Sequence, residues 1–255
     1  MELRRLNMDS SWHITIGQTA FLVDPWLVGS EIDGARWLNE QWHTTPPVPI
    51  AEIPPYDFIL ITQSYADHCH LQTLGKLDPG KPILATRKAW NRLGPAFPDR
   101  SVKQLPDTAW LRSQANGPLS LTVFRPNKWI DPVYYAVAVA DEQGNGLFYA
   151  PHGFTLNQEQ LDRLSAIRIK LLITTFTDFR LPGLMGGQVN PGEGGATRLC
   201  AQLRPERVIN THDEEKRMGG LVARMARVEY PDYERLEQAS AFNFLRIPNY
   251  EPVRI

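Results

Sequence analysis

Short apolar runs rich in β-branched residues recur along the chain, and each ends at turn residues or at a polar cluster. The clearest is FILIT at residues 58–62, which predicts a buried strand because the run is continuous and has polar flanks. Other predicted strands lie at residues 12–16, 20–23, 83–85, 119–124, 134–140, 147–150, 171–174, 208–210 and 242–247. The middle of the chain is therefore predicted to be mostly β.

Helical patterns alternate with strands in the second half of the chain, which indicates an α/β fold. Predicted helices lie at residues 68–77, 157–166, from Asn190 onward and at 221–226. Asn190, Pro191 and Glu193 have the residue types of an N-cap, a first helical turn and a capping box. The chain shows no internal repeat, low-complexity tract or linker, so we expect one domain over residues 1–255.

Composition excludes several classes of protein. The chain has 255 residues, 42% of them hydrophobic, and a net charge of −1, which is typical of a globular protein and excludes disorder and collagen. A nucleic-acid binder is disfavoured because the basic residues form no long run. We expect a cytoplasmic protein, since the start of the chain lacks the apolar run of a signal peptide and Cys69 and Cys200 are far apart in sequence.

Three of the six histidines follow predicted strands. Asp67 and His68 come after FILIT, His152 follows the run LFYA, and His212 follows VIN. Side chains at strand ends build the sites of α/β proteins. One carboxylate and three imidazoles meeting there would form a four-ligand site of the kind that zinc prefers.

The stretches around these residues resemble a known family. They are LVDPW around Asp24, ILITQSYADHCHLQTL around Asp67 and His68, LFYAPHGF around His152 and VINTHDEEK around His212. Nearly end to end, the chain resembles the metallo-β-lactamase superfamily, near its ascorbate-lactonase-like branch. The resemblance implies a four-layer αβ/βα sandwich, with two mixed sheets back to back, helices outside and the site at one edge.

The family signature, HxHxDH, is degenerate in this chain. Gln63 and Tyr65 stand where relatives have the two leading histidines, and Asn127 or Lys128 stands where they have a third. His152 replaces an aspartate that bridges two metals. The resemblance therefore implies that one of two metal sites is lost and that one divalent metal remains, with zinc expected and manganese or iron as alternatives. The implied ligands are Asp67, His68, His152 and His212.

Other roles follow from the same comparison, and simpler interpretations stay open. Asp67 and Tyr65 are the expected catalytic residues. Residues expected to orient a ligand or contact the substrate are Asp24, Gln63, His70, Asn127 and Lys128. Alternatively, Asp67 caps a helix, His152 is a turn residue and His212 is a solvated strand end. The segment at residues 37–55, rich in Trp and Pro, either lines a substrate entrance or only packs as a loop.

Two classes of function are compatible with this pattern. The first is a hydrolase that uses one metal to activate water against an ester, lactone, amide or phosphodiester bond of a small molecule. Four protein ligands would close a zinc tetrahedron, however, so catalysis needs an open position. The second is a binding or scaffold protein that keeps the fold without the reaction. A nuclease is disfavoured by the net charge, a membrane protein by the short apolar runs, and a homo-oligomer is compatible with the sequence.

Overall fold

Two β-sheets packed face to face form the centre of the protein. The computed structural model describes residues 1–106, 108–113, 117–127, 134–238 and 242–255. In chain order the strands are β1 (Glu2–Arg5), β2 (Trp12–Ile16), β3 (Thr19–Val23), β4 (Glu31–Ile32), β5 (Glu40–Trp42), β6 (Phe58–Ile61), β7 (Ile83–Ala85), β8 (Val102–Gln104), β9 (Thr108–Ser113), β10 (Gly117–Phe124), β11 (Ala136–Ala140), β12 (Asn145–Ala150), β13 (Arg168–Thr174), β14 (Asp178–Arg180), β15 (Gln188–Pro191), β16 (Arg207–Asn210), β17 (Arg217–Gly219), β18 (Arg227–Glu229) and β19 (Val253–Arg254).

The helices are short, and none of those described is long and apolar enough to cross a bilayer. They are α1 (Leu71–Leu74), α2 (Arg87–Ala96), α3 (Gln158–Leu164), α4 (Gly192–Leu203), α5 (Gly220–Met225) and α6 (Tyr233–Gln238). Single 3-10 turns lie at Ile50–Glu52 and Gly183–Met185.

Both large sheets are mixed. Within the described residues, the first has seven strands in the order β19-β1-β2-β3-β6-β7-β8, and β3, β6, β7 and β8 run parallel. The second has six strands in the order β16-β13-β12-β11-β10-β9, with β12, β13 and β16 parallel. Smaller sheets, β15-β14-β18 and β17-β5-β4, lie beside them. The parallel strands bring their carboxyl ends together, where α/β proteins build their sites.

Three apolar clusters arrange the sheets and helices in four layers. Between the sheets, side chains such as Ile14 and Leu60 from the first sheet belong to one cluster with Leu121 and Ile173 from the second. A second cluster joins the outer face of the six-stranded sheet to α3, α4 and α6, and a third joins the seven-stranded sheet to α1 and α2. The predicted four-layer αβ/βα sandwich is confirmed.

Two predicted helix starts were wrong, because polar side chains have other partners. The helix predicted at residues 68–77 covers only Leu71–Leu74, and His70 caps it by accepting a hydrogen bond from the Thr73 backbone. The helix predicted from Asn190 begins at Gly192 instead, because Asn190 lies in β15 and its side chain contacts His152. Gly192 has a φ of 62°, a left-handed conformation that favours glycine.

One predicted strand is largely absent. In the segment 242–247, the described residues form only an isolated bridge, between Phe244 and Val208. Phe242 and Phe244 instead pack against Phe176 at ring-centroid distances of 5.5 and 5.4 Å. The apolar pattern there reflects burial against the six-stranded sheet rather than a continuous ladder.

The packing between the sheets makes Leu121→Ala a test of the fold. Leu121 is fully buried in β10, so its truncation leaves a cavity, and we expect the free energy of unfolding to fall by about 2–5 kcal/mol. Leu184→Ala is the control, since Leu184 is fully exposed and its truncation should change stability by less than about 0.5 kcal/mol. Urea unfolding of both variants measures the difference, and equal effects would contradict this layering.

Candidate metal centre

Three histidines from both large sheets meet at one edge of the sandwich. His68 follows β6, His152 follows β12 and His212 follows β16. The Nε2 atoms of His68 and His152 are 3.0 Å apart, and one ligand atom from each of the three histidines lies within 4.8 Å of the others. The ring centroid of His212 lies 5.2 Å from that of His68 and 4.5 Å from that of His152. The predicted convergence of the three strand ends is therefore present in the structure.

A hydrogen bond from Nδ1 orients each of these rings. The partner of His68 is Asp24 Oδ2 at 2.9 Å, and that of His152 is Asn190 Oδ1 at 2.8 Å. His212 Nδ1 lies 3.1 Å from Asp9 Oδ2. Because these partners accept hydrogen bonds, each Nδ1 donates, and a neutral ring then presents the lone pair of Nε2. Metal-binding histidines are oriented by hydrogen bonds of this kind.

The backbone around Asp24 and His212 is built for these contacts. Asp24 also accepts hydrogen bonds from the Thr62 backbone at 2.7 Å and the Thr62 hydroxyl at 2.5 Å. Asp24 and His212 have φ angles of 44° and 58°, which are unfavourable for residues with a Cβ atom. The His212 amide donates to the Asp9 carbonyl at 2.8 Å. Strained backbone of this type is concentrated at functional sites.

Asp67 lies beside the histidines with one oxygen unpartnered. Its Oδ2 is 3.8 Å from His68 Nε2 and 3.6 Å from His212 Nε2. Its Oδ1 is buried and has no hydrogen-bond partner among the described residues. Burial would raise the pKa of Asp67, but the nearby His68 and His212 outweigh it and lower that pKa. Asp67 is thus an ionised carboxylate with a free oxygen.

The pKa values of two of the rings move in opposite directions. Burial lowers the pKa of His68, but the Asp67 and Asp24 carboxylates outweigh it and raise the value to about 9. Burial, together with His212 and His68, holds the pKa of His152 well below its usual range. Two imidazole lone pairs repel each other at 3.0 Å, so a proton or a cation must lie between His68 and His152. This position suits a cation that can displace the proton.

The donor set fits a divalent transition metal. Imidazole nitrogen and carboxylate oxygen are the ligands that zinc, manganese and iron share. Besides the three histidines, a second group with ligand atoms within 4.8 Å of one another consists of Asp9, Asp67 and His212. Asp9 Oδ1, like Asp67 Oδ1, is buried without a hydrogen-bond partner among the described residues. A bound cation, or water beside it, would satisfy these oxygens.

Gln63 and Tyr65, at the degenerate signature positions, have different surroundings. The Gln63 side chain donates to the Tyr135 carbonyl at 2.7 Å and accepts from the Tyr135 amide at 3.0 Å. Tyr65 lines a cavity next to the histidines, and its ring centroid is 5.9 Å from that of Tyr134. Burial raises the pKa of Tyr65, so its hydroxyl keeps its proton at neutral pH.

The other candidate residues have partners away from the histidines or lie outside the described residues. His70 Nδ1 contacts the Thr73 hydroxyl at 2.8 Å, and its Nε2 lies 3.2 Å from the Ser30 carbonyl. The Asn127 amide donates to the Thr155 carbonyl at 2.7 Å, near the start of α3. Lys128 falls outside the described residues.

Sequence reasoning missed four residues of this centre. Asn190 was assigned to a helix cap, Tyr134 only to a strand, and Asp9 and Lys216 had no predicted role. Lys216 Nζ lies 2.9 Å from Asp9 Oδ2, and the Tyr134 ring packs on His152 at a centroid distance of 4.1 Å. Among these four residues, only Lys216 could have been found from the sequence, because it lies four residues after His212 in THDEEK.

A cavity of about 330 Å³ opens beside the histidines. Its wall includes Tyr65, Asp67, Tyr134, His152, Asn190, His212 and Lys216. Residues of the small sheets and of α5 complete it. Leu38, Asn39 and Gln41 also line the cavity, so part of the Trp- and Pro-rich segment at residues 37–55 belongs to its wall.

Glu31 is an unusual buried carboxyl near this cluster. It accepts a hydrogen bond from Asn39 at 3.2 Å through Oε1, while Oε2 is buried without a partner among the described residues. Burial and the nearby Asp67 and Asp33 raise the pKa of Glu31 to about 9. Glu31 therefore takes up a proton when the chain folds at neutral pH.

Comparisons with known proteins agree with a metal-binding α/β sandwich. The model of the beta-lactamase superfamily domain matches residues 19–212, so the chain belongs to this family. The ascorbate-lactonase-like branch stays a prediction. No curated protein matches the chain.

Solved structures share the fold at low sequence identity. An isothiocyanate hydrolase from Delia radicum gut bacteria is 14% identical, with a TM-score of 0.71 over 100% of this chain and 99% of that one. Igni18, a metallo hydrolase from the archaeon Ignicoccus hospitalis, is 14% identical, with a TM-score of 0.66 over 99% and 97%. A diphosphatase of the PhnP family is 12% identical, with a TM-score of 0.57 over 99% and 97%.

Glu31→Gln tests the charge balance of the cluster. The pKa of Glu31 is higher in the folded protein, at about 9, than its ordinary value of 4.5, so its contribution to stability falls as pH rises between these values. Glutamine does not titrate, so Glu31→Gln removes this loss of stability at higher pH. We expect the variant to gain stability over the wild type by up to about 1.4 kcal/mol per pH unit between pH 5 and pH 8.

Urea unfolding in a chelating buffer, at several pH values, measures this gain without a bound cation. Glu142→Gln is the control, because Glu142 is exposed in the turn before β12 and should leave the pH dependence unchanged. If the free energy of unfolding depends on pH in the same way for Glu31→Gln and the wild type, the raised pKa of Glu31 is contradicted.

Proposed function

We propose that this protein is a metal-dependent hydrolase that uses one divalent cation, zinc in the first place, with manganese and iron as alternatives. The residues that would hold the cation are His68, His152 and His212, with Asp67 beside them. One observation carries the proposal: one ligand atom from each of the three histidines lies within 4.8 Å of the others, while each Nδ1 is held by a hydrogen-bond acceptor. Three imidazole ligands would leave a position open for water, unlike a closed four-ligand site.

The chemistry of the site would be shared between the cation and the protein. A divalent cation lowers the pKa of water and polarises the bond under attack. Asp67, with an ionised carboxylate and a free oxygen, would hold the attacking water and accept its proton. The Tyr65 hydroxyl, protonated at neutral pH and on the cavity wall, would donate a hydrogen bond to the substrate. Lys216 would offset the buried negative charge.

The bond that is cleaved belongs to an ester, a lactone, an amide or a phosphodiester of a small molecule. Support comes from the cavity, whose volume lies at the small end of the range for ligand pockets. Further support comes from the structural neighbours, one named a metallo hydrolase and another an isothiocyanate hydrolase.

A second candidate is a binding protein that keeps the fold but does not hydrolyse. The position of Gln63 favours it, because the amide that replaces a family histidine is fully committed to the Tyr135 backbone. Because both polar atoms of the Gln63 side chain are hydrogen-bonded to the backbone, Gln63 cannot bind a metal in place of a histidine. This alternative predicts a protein that binds a ligand in the cavity without metal-dependent turnover.

Metal content separates the two candidates. We expect about one zinc, manganese or iron per chain in protein purified without a histidine tag or chelator. His152→Ala and His212→Ala should each lose it, because each removes one of three nitrogen ligands. Plasma mass spectrometry measures the content. His13→Gln is the matched control, since His13 lies in β2 and contacts the Pro55 carbonyl.

Each outcome has a definite meaning. Two metals per chain would contradict the loss of one site, and unchanged content in His152→Ala would remove His152 from the ligand set. No metal after reconstitution would overturn the hydrolase proposal and favour the binding protein.

Asp24→Asn tests the orientation of His68. The amide is close in size to the carboxylate, but it no longer stabilises the Nδ1 proton with a negative charge. We expect metal affinity to fall by about 10- to 100-fold, measured by competition with a chelating indicator. Asp57→Asn is the control, because Asp57 Oδ2 accepts from the Ala20 backbone and not from a histidine. Equal affinities for the two variants would refute this role.

A further inference from the structure

The cavity beside the histidines has two chemically different walls. The inner wall carries the polar residues of the metal centre, among them Tyr65, Asp67 and Lys216. The outer wall is apolar and comes from β14, β15, β18, α5 and the turn at Gly183–Met185. Its side chains are Phe179, Leu181, Met185, Val189, Val222 and Val228. A molecule that fills the cavity therefore has a polar group at one end and an apolar part at the other.

Except for the buried Val222, the side chains of the apolar wall are half-buried. Phe179, Met185 and Val228 are each partly exposed, and all three line the same space. Covering such surface with an apolar group is favourable by about 25 cal/mol per Å². The wall thus offers binding energy to a hydrocarbon chain and none to a charged group.

The charges around the cavity disfavour an anion. Among the described residues that line it, Lys216 is the only lysine or arginine, and its Nζ is bound to Asp9. Five carboxylates lie in or next to the centre: Asp9, Asp24, Asp33, Asp67 and Glu214. A divalent cation and Lys216 together carry three positive charges, which the three lining carboxylates of Asp33, Asp67 and Glu214 balance, so the described lining has no excess positive charge to attract an anion. Recognition of phosphate groups usually employs arginine, which this described wall lacks.

From these observations we infer that the substrate is an uncharged acyl compound, an ester, lactone or amide, with an apolar chain that lies against Phe179, Met185 and Val228. This inference rests on the proposed hydrolase function and narrows it, because it excludes phosphodiesters. In the reaction, the oxygen of water bonds to the acyl carbon, and the bond from that carbon to oxygen or nitrogen breaks. One proton of the water goes to the leaving alcohol or amine, and a carboxylic acid remains.

The acidic surroundings also suit the products. A carboxylic acid has a pKa well below 7, so at neutral pH it is an anion. The same carboxylates that disfavour an anionic substrate then repel this product from the cavity. The site thus distinguishes the uncharged reactant from the charged product by electrostatics.

Binding of unreactive probes tests the inference without requiring turnover. The probes are straight-chain 2-alkanones of four to ten carbons and the alkanesulfonates of equal chain length, titrated calorimetrically into the metal-loaded protein. We expect the Kd of the alkanones to fall about fourfold per added methylene until the cavity is full. The sulfonates should bind at least tenfold more weakly at each length. A Kd that does not change with chain length, or tighter sulfonate binding, would overturn the inference.

A matched pair of variants tests where the alkyl chain of the ligand binds. Met185→Asp places a charge on the apolar wall and should weaken 2-octanone binding at least tenfold. Leu184→Asp, one residue away, is the control because Leu184 is fully exposed and does not line the cavity, and binding should stay within twofold. Val228→Asp tests the same wall from β18 if Met185→Asp unfolds. Equal changes in 2-octanone affinity for Met185→Asp and Leu184→Asp would mean that the alkyl chain does not lie against this wall, and would refute the inference.

Hydrolysis assays then separate this inference from the proposed function. Turnover of phosphodiesters in preference to esters, lactones and amides would overturn the inference and leave the hydrolase proposal intact. Chain-length-dependent alkanone binding without turnover of any of these substrates would overturn the hydrolase proposal, whereas the preference for an uncharged, apolar ligand would be upheld.

Discussion

The hydrogen bond from each site imidazole to a buried acceptor is the interaction on which the centre depends. Asp24 follows β3, Asp9 lies between β1 and β2, and Asn190 lies in β15 of a small sheet. Each acceptor therefore comes from a different part of the chain than the ring it holds. Packing of the two large sheets brings Asp9 to His212 and the His68 ring to the His152 ring, so the centre can form only when the sandwich is complete. The core between the sheets and the orientation of the Nε2 atoms are thus parts of one structure.

Much of the framework could be predicted from local pattern. Apolar runs such as FILIT marked the parallel strands, and residues at their carboxyl ends marked His68, His152 and His212 as neighbours. The acceptors could not be found this way, because a contact between Asp9 and His212 joins residues about 200 positions apart and leaves no periodic signal. Asn190 was misassigned for a physical reason, since asparagine before a helix is a favoured cap whether or not its side chain is used elsewhere.

Gln63, where the resemblance expects a histidine, has a structural role in this protein. Its amide makes a paired contact with the Tyr135 backbone, which ties the loop after β6 to the segment that leads into β11. Tyr134, the neighbouring residue, packs on His152. Gln63 therefore supports, through Tyr135, the position of the ring that packs on His152.

The buried charges around this site explain why an acidic cluster can persist inside the fold. Asp9, Asp67 and Glu31 would repel one another if all were ionised and unpaired. Glu31 avoids this by holding a proton, Asp9 pairs with Lys216, and Asp67 lies between His68 and His212. The unpartnered oxygens of Asp9 and Asp67 are what these arrangements leave unsatisfied. Since a buried carboxylate oxygen without a partner is costly, the fold favours a cation, or water that donates hydrogen bonds, beside these oxygens.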